Sequence, residues 1–132
     1  MGLEKLKELL VDQKEVMEDV ILDALKGIVS LDSQSGEVYL QEKFSELRPD
    51  AKICLFLMAR KAAHLLGLTD GEVASATLIR ERTGMPVGTV NPKLRSLLDR
   101  GVIAQNEHKE YYMPTHALAI ARQTIKGGIN AP

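Results

Sequence analysis

The sequence contains no tryptophan and only two phenylalanines and three tyrosines. So few rings cannot build the stacking platforms on which single-strand nucleic-acid binders lay successive bases. The single cysteine, Cys54, can form no disulfide within the chain and no thiolate zinc centre, which fits a reducing compartment. The longest unbroken apolar run, Ile53 to Ala59, falls far short of the roughly 20 residues that a membrane-spanning helix needs. No basic, apolar, small-residue leader opens the sequence. Met1-Gly2 opens like a myristoylation site, but Leu6 stands where that motif has Ser or Thr. Neither sign of charge dominates, with 17 Lys and Arg against 18 Asp and Glu. These absences predict a cytoplasmic protein without a membrane partner.

The 132 residues suit one domain, or one domain with an appendage, and the pattern reads as two small units. From Leu3 to Ala24, the residues Leu3, Leu6, Leu10, Gln13, Met17, Val20 and Ala24 recur at alternating spacings of three and four, a heptad seam. Leu9, Val16, Ile21 and Leu25 widen the stripe. Residues 1–29 are therefore expected to form an amphipathic helix that either lies on its own domain or pairs with a second copy. Leu3, Leu6, Leu10, Met17 and Val20 are its dimerisation residues. Leu118, Ala121 and Ile125, on one face of the last helix, are the alternative surface. Residues 1–30 hold seven acids against four lysines, a balance of −3, and the remaining 11 acids and 13 bases give +2. Repulsion toward a polyanion thus falls on the N-terminal segment.

In residues 30–47, β-prone Ile28–Asp32 and Glu37–Leu40 flank Ser33-Gln34-Ser35-Gly36 and predict a hairpin. Pro49 and Asp50 suit the first turn of a helix that is apolar nearly all round and stops at Gly67. Thr69–Glu72 reads as a turn and Val73-Ala74 as a short extended piece. Ser75 caps a second helix, Ala76–Thr83, ended by Gly84. Thr89 is expected to cap a third helix, Val90 to about Arg100, which would make Pro92 its third residue and leave no helical bond to lose. Val102–Gln105 and Tyr111–Met113 read as strands around Asn106–Lys109. A last helix spans His116 to about Lys126, and 127–132 form a flexible tail. The predicted class is mostly α with small β-hairpins, an α+β protein.

Helix, short helix, Gly-containing turn, helix, hairpin is the order of a winged helix-turn-helix. The stretch Thr83 to Ile103 carries Gly88-Thr89, Pro92, the pair Leu97-Leu98 and the exit Gly101-Val102. It resembles the recognition-helix region of PadR- and MarR-like winged helix-turn-helix regulators of bacteria and archaea. The resemblance covers about residues 48–126 and departs from PadR proteins in placing a long helix ahead of the winged domain. It implies duplex DNA binding and transcription regulation by a homodimer, with no cofactor.

A helical wheel reaches the same residues independently. Val90, Leu94, Leu97 and Leu98 share one side of the third helix, with Thr89, Pro92, Arg95, Ser96 and Asp99 opposite and Asn91 and Lys93 on the flanks. Arg can bond guanine O6 and N7, and Asn adenine N6 and N7, so Thr89, Asn91, Pro92, Lys93, Arg95 and Ser96 form the candidate recognition surface. The alternative is a solvated polar face. Arg80 and Arg82 either touch phosphates or keep the second helix soluble. His108 and Lys109 are candidate backbone contacts at the wing tip, where Glu107 and Glu110 offset them. The other functional reading is a winged module for protein interaction. His64, His108 and His116 with Cys54 lie on three separate elements without a short ligand pair, so no metal site is expected. With no phosphate loop, nucleophile elbow or paired carboxylates, enzyme activity is not expected either.

Overall fold

The computed structural model describes residues 2–128. The chain is mostly helical with two small antiparallel hairpins. Among the described residues there are five α-helices: α1 (Gln13–Leu25), α2 (Pro49–Leu65), α3 (Ala76–Thr83), α4 (Val87–Asp99) and α5 (Leu118–Gly127). Strands β1 (Val29–Leu31) and β2 (Val38–Leu40) pair with Ser30 opposite Tyr39; β3 (Ala104–Gln105) and β4 (Tyr111–Tyr112) pair with Ala104 opposite Tyr112.

The architecture follows from α2. Arg48 is extended, Pro49 sets the first helical φ, and Asp50 Oδ1 accepts the Ala51 N–H at 2.9 Å. Every residue from Ile53 to Ala59 is buried. A helix with no polar side needs cover all round, and α1, α3, α4, α5 and both hairpins pack on it. One cluster of buried side chains runs from Ile21 on α1 to Ile125 on α5. The C-terminal end closes onto the start of α2, where Arg48 N–H donates to the Gly128 carbonyl at 2.9 Å.

Polar groups fasten the connection that follows α2. Buried Lys61 pairs with both carboxylate oxygens of Glu72 at 3.3 Å. Arg60 donates to the carbonyls of Glu72 at 3.3 Å and Val73 at 2.9 Å. Burial lowers the Arg60 pKa, the nearby Arg82 adds to that, and Glu110 opposes it. These bonds hold residues 72–73 against α2 and so fix where α3 begins.

The N-terminal region departs from the heptad expectation. Residues 3–25 are not one helix: Glu4–Leu9 form a 3-10 turn, Leu10 is extended with ψ 131°, and α1 starts at Gln13. The cause is Asp12, whose side chain accepts from Lys14 N at 3.0 Å and Glu15 N at 3.4 Å. An Asp that caps the following turn ends the preceding one, because its side chain takes the N–H groups a through-going helix would use. The seam is thereby split. Met17 and Val20, expected to face a second copy, pack against the chain's own core, while Leu3, Leu6 and Leu10 are exposed. The alternative surface is also internal: Leu118, Ala121 and Ile125 are buried under α2 and α1. α5 begins at Leu118 rather than His116 because Thr115–Ala117 form a 3-10 turn first. Of the expected tail, Gly127 ends α5, Gly128 caps it, and 129–132 lie outside the described residues.

The turn between β1 and β2 packs on the α2–α3 connection at Gly36. Its φ is +73°, and a Cβ there would stand 2.8 Å from Leu68 Cβ and 2.9 Å from Thr69 Cγ2. Gly67, also at positive φ (+76°), has open space around it. Gly67→Ala is expected to cost about 1–2 kcal/mol from the left-handed backbone alone. Gly36→Ala should cost about 2–5 kcal/mol, because overpacking adds to the same backbone term. Urea unfolding of the two variants checks this, and equal losses would show that the hairpin turn does not press on the connection.

Candidate nucleic-acid interface

The candidate surface is assembled from α3, α4 and the β3–β4 hairpin. Ser75 Oγ accepts the Leu78 N–H at 3.0 Å and starts α3, and Gly84 in the left-handed region (φ 75°) ends it. Ile79 seats α3 in the core. Met85 is buried in the turn, and Pro86 in extended conformation leads into α4.

α4 starts earlier than the sequence predicts. Its first residue is Val87, because the Pro86 carbonyl accepts from both Thr89 N and Val90 N at 3.0 Å. Thr89 is therefore inside the helix and half-buried, not an exposed cap, and no side chain caps α4. Pro92 becomes the sixth helical residue instead of the third. At that position it lacks an N–H that would otherwise bond the Gly88 carbonyl. The defect is softened because Gly88 is exposed, so water can reach its carbonyl.

Apart from half-buried Thr89, the two faces of α4 divide as the wheel predicts. Val90, Leu94 and Leu97 are buried and Leu98 partly so, while Asn91, Pro92, Lys93, Arg95, Ser96 and Asp99 are exposed. Asn91, Pro92 and Arg95 line a shallow notch. Arg80 reaches from α3 to this face, donating to Thr77 Oγ1 at 3.1 Å and to Asn91 Oδ1 at 3.5 Å, the second bond being weak at that length. Arg82 does not join the surface. Its Nη2 donates to the Val38 carbonyl at 2.6 Å and its Nη1 pairs with Glu37 at 3.4 Å, so α3 is tied to the first hairpin.

The β3–β4 hairpin is anchored by the residue before α3's cap. Ala74 and Tyr111 exchange N–H···O bonds of 2.9 and 2.8 Å, which fixes the hairpin to α3. Asn106 Oδ1 accepts from His108 N at 3.0 Å and Glu110 N at 2.9 Å, shaping the tip. Lys109 holds a φ of 60°, unusual for a residue with a Cβ. His108 and Lys109 are both exposed at this tip, His108 beside Glu107 at 3.6 Å. A pair so open to water contributes little.

Two residues enter the surface that the sequence reading left out. Val87 is exposed at the first turn of α4, and Thr77 holds Arg80. The i, i+3 spacing of Thr77 and Arg80 was the available signal for the second. The Cys54 thiol is raised to about 12 by burial, with Asp50 adding and Arg100 opposing, so it stays protonated as a core group. Among the described residues no three His, Cys, Asp or Glu side chains are grouped to hold a metal ion, and no helix is long and apolar enough to cross a membrane. A scan against protein-family models finds no match, and searches of curated proteins and of solved structures find no significant one.

Pro92→Ala restores the missing N–H within α4. It is expected to stabilise the protein by about 1–3 kcal/mol, read as a higher midpoint in urea. An unchanged or lower midpoint would mean that Gly88 is fully satisfied with proline in place.

Proposed function

We propose that α3, α4 and the β3–β4 hairpin form a winged helix-turn-helix that binds duplex DNA sequence-specifically, and that the chain acts as a homodimeric transcription regulator. The observation that carries this reading is the two-faced α4. Val90, Leu94 and Leu97 are buried in the core, and the opposite side offers Asn91, Lys93, Arg95 and Ser96 to solvent. Such a helix fits the major groove, where Arg and Asn make bidentate contacts with base edges. The uncapped first turn of α4 adds N–H groups for a backbone phosphate. Arg80 and Lys109 flank the helix as phosphate contacts. His108, exposed beside Lys109, is a further phosphate contact. Arg82 is left out of the contact set because its guanidinium serves the first hairpin. No catalytic step is assigned to the protein.

A protein-interaction module is the second reading. It is favoured by the near-neutral charge and by Glu107 and Glu110 beside the basic wing tip. The two readings differ in salt dependence, since phosphate contacts release counterions and a protein interface of this composition does not.

Titration of fluorescent duplex at low and moderate salt, followed by selection of a preferred site, supplies the test. Arg95→Ala is expected to lose about 1–3 kcal/mol on the preferred site and to relax discrimination there. Lys109→Ala should weaken every duplex alike and lower the salt slope by up to about one unit. Arg95→Ala binding all duplexes as the unaltered protein does would contradict the assignment of α4.

A further inference from the structure

We infer that the apolar groove between α1, β1 and the C-terminal end of α2 is the seat for residues 3–11 of a second copy of this chain. The inference rests on the homodimer part of the function proposed above and names the surfaces that meet. The groove measures about 360 Å³ and its walls include Met17, Leu22, Leu31, Leu65 and Leu66. Leu66 is 68% exposed, at the point where α2 stops, so the described residues leave most of it open. Such a set of open apolar side chains requires cover.

The same molecule carries a matching apolar segment. Leu3, Leu6, Leu9, Leu10 and Val11 are between 55% and 76% exposed, and the turn Glu4–Leu9 has no buried residue. The charges also complement one another. Along the groove rim stand Lys14, Glu18 and Lys26, in the order positive, negative, positive. The segment presents Glu4, then Lys5 and Lys7, then Glu8, in the order negative, positive, negative. Each copy therefore offers one groove and one segment. A two-fold pair fills both grooves and leaves no open end, which is how an isologous dimer closes. The break at Leu10–Asp12 frees the segment to leave its own α1 and reach the other copy.

Light scattering and cross-linking of the full chain test this together. The unaltered protein is expected to be a dimer at micromolar concentration. Leu6→Asp and Leu65→Asp should each convert it to monomer with unchanged helical circular dichroism, both positions being exposed. Leu6→Cys copies mixed with tagged Leu65→Cys copies should be joined by a short bismaleimide, with buried Cys54 unreactive. A monomeric unaltered protein overturns the inference. So does a dimer whose mass neither Asp variant changes, or a cross-link that forms only inside a doubly substituted single chain, since that is the segment folding back on its own groove. Arg95→Ala should leave the mass unchanged, so failure of the dimer surface and failure of DNA recognition are read separately.

Discussion

A helical stretch that is buried on every side cannot be the edge of anything, and Ile53 to Ala59 of α2 impose that condition on the whole chain. From Ile53 to Ala59 it offers no polar face to water, so its stability comes from neighbours and not from propensity. α5 covers it along one side, α1 and the first hairpin along another, and α3 with α4 along a third. Each of these elements is short, and none has a core of its own. Their apolar stripes are buried against α2 and against each other, α5 on α1 and α4 on α3, and α2 is the neighbour they all share.

The functional reading follows from how that cover is shared. α4 gives Val90, Leu94 and Leu97 to the core and is left with a polar face held rigid from behind. Its neighbour α3 is positioned at three points: by the Ser75 cap, by the Ala74–Tyr111 bridge to the second hairpin, and by the Arg82 bonds to the first. Packed against an α3 held in this way, α4 keeps Asn91 and Arg95 at a fixed distance from the hairpin tip, as the proposed DNA recognition would require. The Arg60, Lys61 and Glu72 bonds serve the same end from the other side of the connection.

Much of this was legible in the sequence where the signal is local. Ser75 and Gly84 bracket α3 at the residues predicted, because a cap and a left-handed stop act within one turn. The run from Ile53 to Ala59 marked α2 as central for the same kind of reason. The misplaced starts of α1 and α4 each trace to one residue. They differ in direction: the apolar spacing runs on across the boundary that Asp12 sets through its side chain and so places α1 too early, whereas the capping chemistry of Thr89 places α4 three residues later than the Pro86 carbonyl opens it. The role of Arg82 was beyond local reading altogether, since its partner Val38 lies 44 positions away and the side chain looks like any exposed helical arginine until the hairpin is in place. The same holds for Lys61, whose burial depends on where Glu72 returns to α2.

The most direct test of the account is an amide chemical-shift map of the full chain titrated with duplex DNA. The account predicts perturbations concentrated on the first three turns of α4, Val87 to Ser96, and on the hairpin tip from Asn106 to Glu110, with smaller shifts at Arg80. Perturbations confined to α1 and the end of α2, or none at low salt, would contradict the assignment of α4 as the reading helix.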